Sequence, residues 1–473
     1  MAAAALVVYA VALAAGGLAV WRRPSSAVYA FVVGLALHNA VMAALFALGV
    51  EGTSLTLIAA WKEVLLAVAL ARVGSDALAA RRLPFRPALV DALALVFAAF
   101  VLLYAVLPQS ALGGEADATT ILYALRHGLA CVAAYFLGRS IELPPLRRLI
   151  LATAAALAVL GVVEAYTVPI ESWEDADVPA YFSEQLGFEH HGPRGLPENF
   201  VFNTGDENDL LRRAVSTFLS PLGTAYLIVV ALCLWAVRPR DGWPLAAIAA
   251  VGLLFTFTRA AMLVLAGGLL VLAFVQRRWW PVAAAAATLA VAVVWTQVYP
   301  SIAPETTWSQ ADLRYQREQA EKRGVTPGET VALDEPSIRS HLRALRDGVE
   351  TVARHPQGYG LGNAGATALR RHVPLRAGES TYTELGVETG LLGALAFIAW
   401  SLALLWALVR ARAAGTAAAF AAVLALGVQT DVLGTPWLAF VVWLLAGAAL
   451  TAREGLRDVE QPAVGESDHA IRP

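Results

Sequence analysis

Long apolar runs recur along the whole sequence, and they constrain the fold more than any other feature. Runs of about 17 to 25 residues can each cross a bilayer as a helix. They lie near residues 3–20, 27–50, 54–71, 88–107, 121–138, 148–168, 216–237, 280–298 and 382–409. Two longer stretches, 243–275 and 415–451, contain the polar breaks Thr256-Phe257-Thr258-Arg259 and Gln429-Thr430-Asp431, and each is interpreted as two short helices. The pattern predicts an all-α polytopic membrane protein with about 12–13 transmembrane helices.

Composition excludes a soluble globular protein. The hydrophobic fraction is 58 %, charged residues make up 15 % and the mean hydropathy is +0.61, whereas a soluble chain needs a wetted surface. The first apolar run has no basic segment before it and is expected to be a retained span. Cys131 and Cys233 both lie in apolar runs. Without a Cys/His ligand pattern we expect no metal and no cofactor, and we expect no nucleic-acid partner.

The placement of the charges predicts an orientation. Arginines fall on every second connection between spans, and this pattern marks the cytoplasmic side. We therefore expect the N-terminus outside and the C-terminus in the cytoplasm. The expected segments are N-terminal helices at 1–168, a first extracytoplasmic loop at 169–213, central helices at 214–298, a large extracytoplasmic catalytic loop at 299–381, C-terminal helices at 382–452 and a disordered tail at 453–473.

The large polar loop has two kinds of sequence. Its first part, Trp308 to Pro336, shows no clear apolar period and is expected to be an irregular cover or a mobile flap. From Ser337 a helix is predicted, with arginines beside an apolar face. The apolar positions are Leu342, Leu345, Val349 and Val352, and the arginines are Arg339, Arg343 and Arg346. The alternative is an interfacial helix whose arginines meet lipid phosphates.

After His355-Pro356 comes a glycine-rich segment that includes Gly358, Gly360, Gly362 and Asn363. Glycines allow positive φ and close backbone approach, and free N–H groups in such a loop can form an anion-binding nest. The segment is not a Walker motif and has no Rossmann context.

The loop ends at Glu379, just before another apolar run. Thr381 and Glu384 have capping-box spacing, so a transmembrane helix is predicted to begin at about Ser380 or Thr381. Glu379 then lies at the helix mouth, ionised by the helix dipole and available as a proton acceptor. Alternatively, it only compensates the dipole.

Two arginines lie at predicted membrane boundaries. Arg259 interrupts an apolar stretch, where a charge is costly enough to indicate function, and Arg213 precedes the next helix. Arginine binds phosphate bidentately, so external arginines beside a bilayer indicate a diphosphate carried on a lipid.

In order, these segments resemble the O-antigen ligase and O-antigen polymerase families of bacteria. The matching segments are Arg213 with Thr217-Phe218-Leu219-Ser220-Pro221, Phe257-Thr258-Arg259-Ala260-Ala261, His355-Pro356 through Asn363, and Glu379 through Gly390. Ser216 stands where that family usually has glycine. Glu379 stands where it has the histidine thought to act as a base on the acceptor hydroxyl.

The resemblance implies a fold of the GT-C type and a metal-independent, inverting glycosyl transfer in the cytoplasmic membrane. The donor would be an undecaprenyl-diphosphate-linked oligosaccharide, and the acceptor a glycan or lipid-glycan. It implies Glu379 as the base, His341 as the next candidate, Arg259, Arg213 and Arg339 or Arg343 as diphosphate ligands, and Gly358, Gly360, Gly362, Asn363, Tyr382 and Glu388 as substrate-loop residues.

Two alternatives share the polytopic architecture. One is a peptidoglycan-type glycosyltransferase of the shape–elongation–division kind. Arg259 and the segment from Glu379 to Gly390 fit that class less well than they fit the polymerases. A polysaccharide or lipid flippase would be expected to carry charges near the bilayer midplane and repeated halves, whereas here the charges cluster at one external face.

Overall fold

The computed structural model describes residues 2–204, 210–323 and 336–460, and helices dominate these ranges. In chain order the longer helices are α1 (Ala2–Arg22), α2 (Ser26–Ala47), α3 (Gly52–Ala80), α4 (Leu89–Val106), α5 (Ala118–Ser140), α6 (Arg147–Thr167), α7 (Pro221–Trp235), α8 (Trp243–Phe255), α9 (Arg259–Gln276), α10 (Trp280–Ile302), α11 (Gln310–Arg323), α12 (Pro336–Arg354), α13 (Gly365–Arg370), α14 (Thr381–Arg410), α15 (Ala414–Leu426) and α16 (Trp443–Glu460). Shorter helical turns are Gln109–Leu112, Glu171–Asp175, Val178–Ala180, Tyr181–Gln185, Pro193–Gly195, Glu198–Phe200, Ser216–Phe218 and Leu438–Val442.

The helices confirm an all-α polytopic membrane protein. Among the described residues, 9 helices are long and apolar enough to cross a membrane, and four shorter apolar helices accompany them. The two predicted polar breaks are present. Helix α8 ends at Phe255 and α9 begins at Arg259, while α15 ends at Leu426 and the next helical turn begins at Leu438.

The bundle is held together by apolar packing around α4, α5, α14 and α16. Helix α5 packs on α16, and α4 packs on α14. Between them lie fully buried aromatic rings, among which Phe97 stacks on Trp400 with ring centroids 5.9 Å apart. This packing holds the second half of α14 in the centre of the bundle.

A small antiparallel sheet joins the two polar loops. Strand β1 (Val201–Asn203) pairs with β2 (Leu210–Arg212), and β2 pairs with β3 (Glu305–Thr306). Arg212 donates a 3.0 Å hydrogen bond to Glu164 of α6. The sheet therefore connects the segment before α7 to the start of the large loop.

Helix α12 forms as predicted. Along its apolar face, Leu342 and Val349 are exposed while Val352 is buried against Gly386 of α14. Two other local predictions were wrong. Helix α11 occupies much of the segment expected to be irregular. Helix α16 continues to Glu460, so residues 453–460 are not a disordered tail; residues 461–473 lie outside the described part of the chain.

Helix α14 is interrupted at one glycine. Gly390 has φ +69° and ψ 171°, a conformation that is not helical and is essentially restricted to glycine. Residues 391–410 after the break are about the length that crosses a bilayer. Residues 381–389 form a separate helical segment that begins directly after Glu379.

Candidate active site

The structure brings the two candidate bases together. Nδ1 of His341, near the start of α12, lies 2.6 Å from Oε2 of Glu379, just before α14. Because an ionised carboxylate can only accept, the imidazole N–H donates to Glu379. Both side chains are about half exposed, so the pair is accessible from outside the fold.

Glu379 is held in an unusual conformation and kept ionised. Its φ is +65°, in the left-handed region that is costly for a residue with a side chain. The hydrogen bond from His341 lowers the pKa of the Glu379 carboxyl below its usual range, against the opposing effect of partial burial. A carboxylate with these properties can accept a proton at neutral pH.

Helix α14 begins where predicted, but the predicted capping box is absent. The N-cap residue is Ser380, and its side chain makes no capping hydrogen bond. Its hydroxyl donates instead to the Gly427 carbonyl at 3.2 Å, and the Thr381 hydroxyl donates to the Thr430 carbonyl at 2.9 Å. The start of α14, and with it Glu379, is therefore anchored to the loop after α15.

The glycine-rich segment supports the fold rather than forming the expected open anion nest. The Gly362 N–H donates to Glu388 of α14 at 2.9 Å, and the Tyr359 N–H donates to the Val387 carbonyl at 2.6 Å. Gly358 has φ +75°, and a Cβ there would lie 2.5 Å from the Gly390 nitrogen. The glycines allow the loop to dock against the break in α14.

The three other predicted substrate-loop residues are also engaged in the fold. Asn363 is 1 % exposed. Its side-chain NH2 group donates to the Gln109 side chain at 2.8 Å, and its side-chain oxygen Oδ1 accepts from the Glu115 N–H at 2.8 Å. The Tyr382 hydroxyl donates to the Leu424 carbonyl at 2.7 Å. Gly360 has φ +99° and lies against Gln109. These residues position the loop and the helix that carry the site.

Arg213 and Arg259 both lie at the break between α8 and α9. Arg213 is buried and donates to the Thr256 carbonyl at 2.8 Å and to the Thr258 hydroxyl at 2.9 Å. Arg259 begins α9, and its guanidinium lies 5.3 Å from the centre of the Phe202 ring. Arg213 therefore stabilises the backbone between α8 and α9, while a cation–π contact with Phe202 helps to position Arg259.

Contacts link this break to the loop that anchors α14. Helix α7, which follows Arg213, packs against α15. In the loop after α15, the Thr430 carbonyl accepts from the Thr381 hydroxyl. The arginine pair and the start of α14 are thus parts of one connected framework.

Ser216 has a backbone conformation that explains the glycine of the resembling motif. Its φ is +57°, in the region that favours glycine. Its buried hydroxyl has no hydrogen-bond partner among the described residues. The substitution keeps the turn before α7 but retains local strain.

The arginines of α12 are placed differently from one another. Arg343 is exposed, and its side chain has no ion pair or hydrogen bond within the described residues. The side chain of Arg339 lies outside the described part of the structure. Of this pair, Arg343 is available to an external ligand.

A cationic cluster that the sequence analysis missed lies between α3, α5 and α13. Lys62 is 3 % exposed and lies 3.6 Å from Glu63, and Arg126 lies 3.5 Å from the same carboxylate. Arg370 is held between the Tyr123 and Phe188 rings, and it repels Lys62. Three cations share one acid. The available signal was Arg126 inside an apolar run, since a charge there indicates function.

The cationic cluster is joined to the segment that contains Glu379 by α13. Thr367 of α13 lies 3.3 Å from Nδ1 of His127 on α5. At the start of α13, a Cβ on Gly365 would overlap the Glu384 carboxylate of α14. The short helix α13 therefore bridges the cations and the start of α14.

No group of three or more His, Cys, Asp or Glu side chains that could hold a metal ion is present in the described ranges.

Comparison with known families decides the assignment of this region. Residues 244–398 match the family model described as O-antigen ligase. This segment is an O-antigen ligase family domain. The O-antigen ligase domain contains the break at Arg259, the glycine-rich segment, Arg370 and the His341–Glu379 pair, whereas Arg213, Lys62 and Arg126 lie outside the match. No curated protein matches the chain.

The O-antigen ligase domain indicates a glycosyl-transfer enzyme of the ligase or polymerase type. It also implies a lipid-linked glycan substrate in a membrane environment. Together with the apolar helices, it indicates a multi-pass membrane protein.

Proposed function

We propose that the protein transfers or polymerises undecaprenyl-diphosphate-linked glycan units at the outer face of the bacterial cytoplasmic membrane. The His341–Glu379 pair carries this proposal, because it places a proton acceptor at the start of α14 within the O-antigen ligase domain. Polymerisation is favoured over ligation, since Glu379 stands where the ligases that this segment resembles have a histidine.

The chemistry is an inverting displacement. An acceptor hydroxyl oxygen attacks the anomeric carbon of the donor sugar, and the bond from that carbon to the diphosphate oxygen breaks. The diphosphate leaves with the bonding electrons, and Glu379 takes the hydroxyl proton. His341 orients the carboxylate through its Nδ1–H and keeps it ionised.

The leaving group carries growing negative charge, and fixed cations stabilise it in the transition state. We assign this role to Arg259 and to the cluster of Lys62, Arg126 and Arg370, with Arg213 positioning Arg259. The cluster holds three cations with one acid, so a diphosphate would balance its excess charge. Arg343 is available to the glycan end of the donor.

Arginine and lysine replace a divalent ion in this mechanism. Activity of the purified protein should therefore survive chelation. A loss of activity in EDTA that is reversed by added magnesium would contradict this metal-free mechanism. Synthesis of peptidoglycan, or transport of the donor without transfer, would favour the shape–elongation–division glycosyltransferase or the flippase.

The decisive test is Glu379→Gln. The amide keeps the shape and a hydrogen-bonding oxygen but cannot accept the proton, and base catalysis is worth on the order of 10²–10⁴-fold. Turnover of purified protein on a lipid-linked donor should fall by that factor, with donor binding little changed. Glu379→His should retain partial activity. Near wild-type turnover in Glu379→Gln would reduce the carboxylate to a helix-dipole partner and make His341 the candidate base.

A further inference from the structure

A large cavity lies at the end of the bundle opposite the Glu379 site. Its volume is about 1160 Å³, and residues of the α14–α15 connection and of the start of α15 help to line it. Glu379 precedes α14 and Arg412 follows it, so the two sites are separated by a whole transmembrane helix. The charge distribution assigns this end to the cytoplasm.

The cavity combines an apolar interior with an excess of positive charge. Most lining side chains are apolar, and the charged ones are Arg82, Arg86, Arg147, Arg238, Arg412 and a single acid, Glu142. Arg147 is neutralised by Asp241 at 2.7 Å. The guanidinium groups of Arg82, Arg238 and Arg412 make no ion pair or hydrogen bond in the described part of the chain.

A buried ion pair builds the wall of the cavity. Arg139 is fully buried and lies 3.1 Å from Asp91. The same guanidinium donates to the Arg86 carbonyl at 2.8 Å and lies 4.8 Å from the centre of the Phe85 ring. It also donates to the Thr451 hydroxyl of α16 at 3.1 Å. The cavity is therefore a preformed site rather than a gap between mobile loops.

We infer that this cavity binds an anionic phospholipid of the cytoplasmic leaflet. The unpaired arginines suit a phosphate head group, to which guanidinium groups bind bidentately. The apolar walls suit acyl chains, and basic pockets between transmembrane helices on this side are a known form of anionic-lipid site. Arginines that only set membrane orientation can lie anywhere on the cytoplasmic loops, whereas Arg82, Arg238 and Arg412 all line one preformed cavity.

The test compares two double variants that remove equal charge. Arg238→Ala with Arg412→Ala removes cavity arginines, whereas Arg148→Ala with Arg240→Ala removes nearby exposed arginines that do not line the cavity. The purified full-length chain is titrated with phosphatidylglycerol, and bound lipid is counted by native mass spectrometry. The cavity variant should bind about 10- to 30-fold more weakly, the control should bind within about twofold of wild type, and phosphatidylcholine should bind weakly to all three.

Other results would overturn the inference. Equal losses in both double variants would mean a diffuse surface charge, and no loss in the cavity variant would remove the site. Displacement of the lipid by millimolar inorganic phosphate would indicate a free-phosphate site. Ala452→Trp, which narrows the cavity without changing charge, should weaken lipid binding, and unchanged binding would also contradict the inference.

Discussion

Glu379 combines a strained backbone with a short hydrogen bond to His341. Both features depend on contacts that neighbouring parts of the fold provide. A non-glycine residue at φ +65° costs on the order of 1–3 kcal/mol. The conformation is maintained because Ser380 and Thr381 are tied to the loop after α15. Strain held in this way by a surrounding framework is typical of residues that act chemically.

The pH dependence of turnover separates the two candidate bases. The pKa of Glu379 is lowered from about 4.5, and a base loses activity as the pH falls through its own pKa. Turnover should therefore stay flat from about pH 8 down to pH 5 and fall only below that range. In His341→Ala the lowering hydrogen bond is lost, so the acid limb should move upward. A wild-type acid limb near about 6.5, the ordinary histidine value, would assign the proton transfer to His341.

Arg259 tests the binding of the leaving group. Arg259→Ala should abolish polymer formation without reducing the amount of protein in the membrane. Arg259→Lys should also be poor, because a point charge cannot make bidentate contacts with phosphate. Polymer is measured in cells and membrane protein by immunoblot. Arg240→Ala, at an exposed arginine outside the site, is the control and should be normal, whereas wild-type polymer in Arg259→Ala would remove its proposed role.

At the scale of elements, two glycines with positive φ let the loop dock onto a transmembrane helix. Gly358 and Gly390 have φ of +75° and +69°, and their backbones are in direct contact. Beside them, the Glu388 carboxylate accepts the Gly362 N–H. The break in α14 therefore fixes the loop that follows α12, and through α12 it fixes His341.

Substitution of Gly390 should loosen this joint. In Gly390→Ala the new Cβ would lie 2.7 Å from the Tyr104 hydroxyl and 2.9 Å from the Gln357 carbonyl, at a backbone conformation essentially restricted to glycine. We expect a loss of about 1–3 kcal/mol, seen as a lower midpoint of thermal aggregation, and a loss of turnover. Gly267→Ala in α9, where a Cβ meets nothing within 4 Å, is the control. Equal stability of the two variants would contradict this account.

The sequence predicted elements better than faces. The spacing of apolar residues and the residues that start or stop helices predicted helix α12, the polar breaks and the start of α14. The exposure of Leu342 and Val349 could not be predicted, because the spacing of apolar residues does not show whether an apolar helix face packs on protein or faces a bilayer. The Lys62, Arg126 and Arg370 cluster unites three distant segments, so only the tertiary fold reveals it. The His341–Glu379 contact likewise joins residues 38 positions apart.

For the whole molecule, the distribution of burial agrees with a bundle bounded by lipid. Only 6 % of the α1 window and 11 % of the α10 window are buried within the protein, against 44 % for α5 and α6. Apolar helices with so little protein contact need a hydrocarbon environment. The Glu379 site and the basic cavity then face opposite membrane surfaces, because α14 lies between them.

The orientation itself can be measured with single cysteines. The native Cys131 and Cys233 are both buried, so an impermeant maleimide should give little background labelling. Ala176 lies in the first polar loop and Ala79 at the end of α3, and both are exposed. The arginine pattern puts the former outside and the latter in the cytoplasm. In right-side-out membrane vesicles Ala176→Cys should be labelled directly, and Ala79→Cys only after permeabilisation. The reverse result would place Glu379 on the cytoplasmic side and contradict transfer at the outer face.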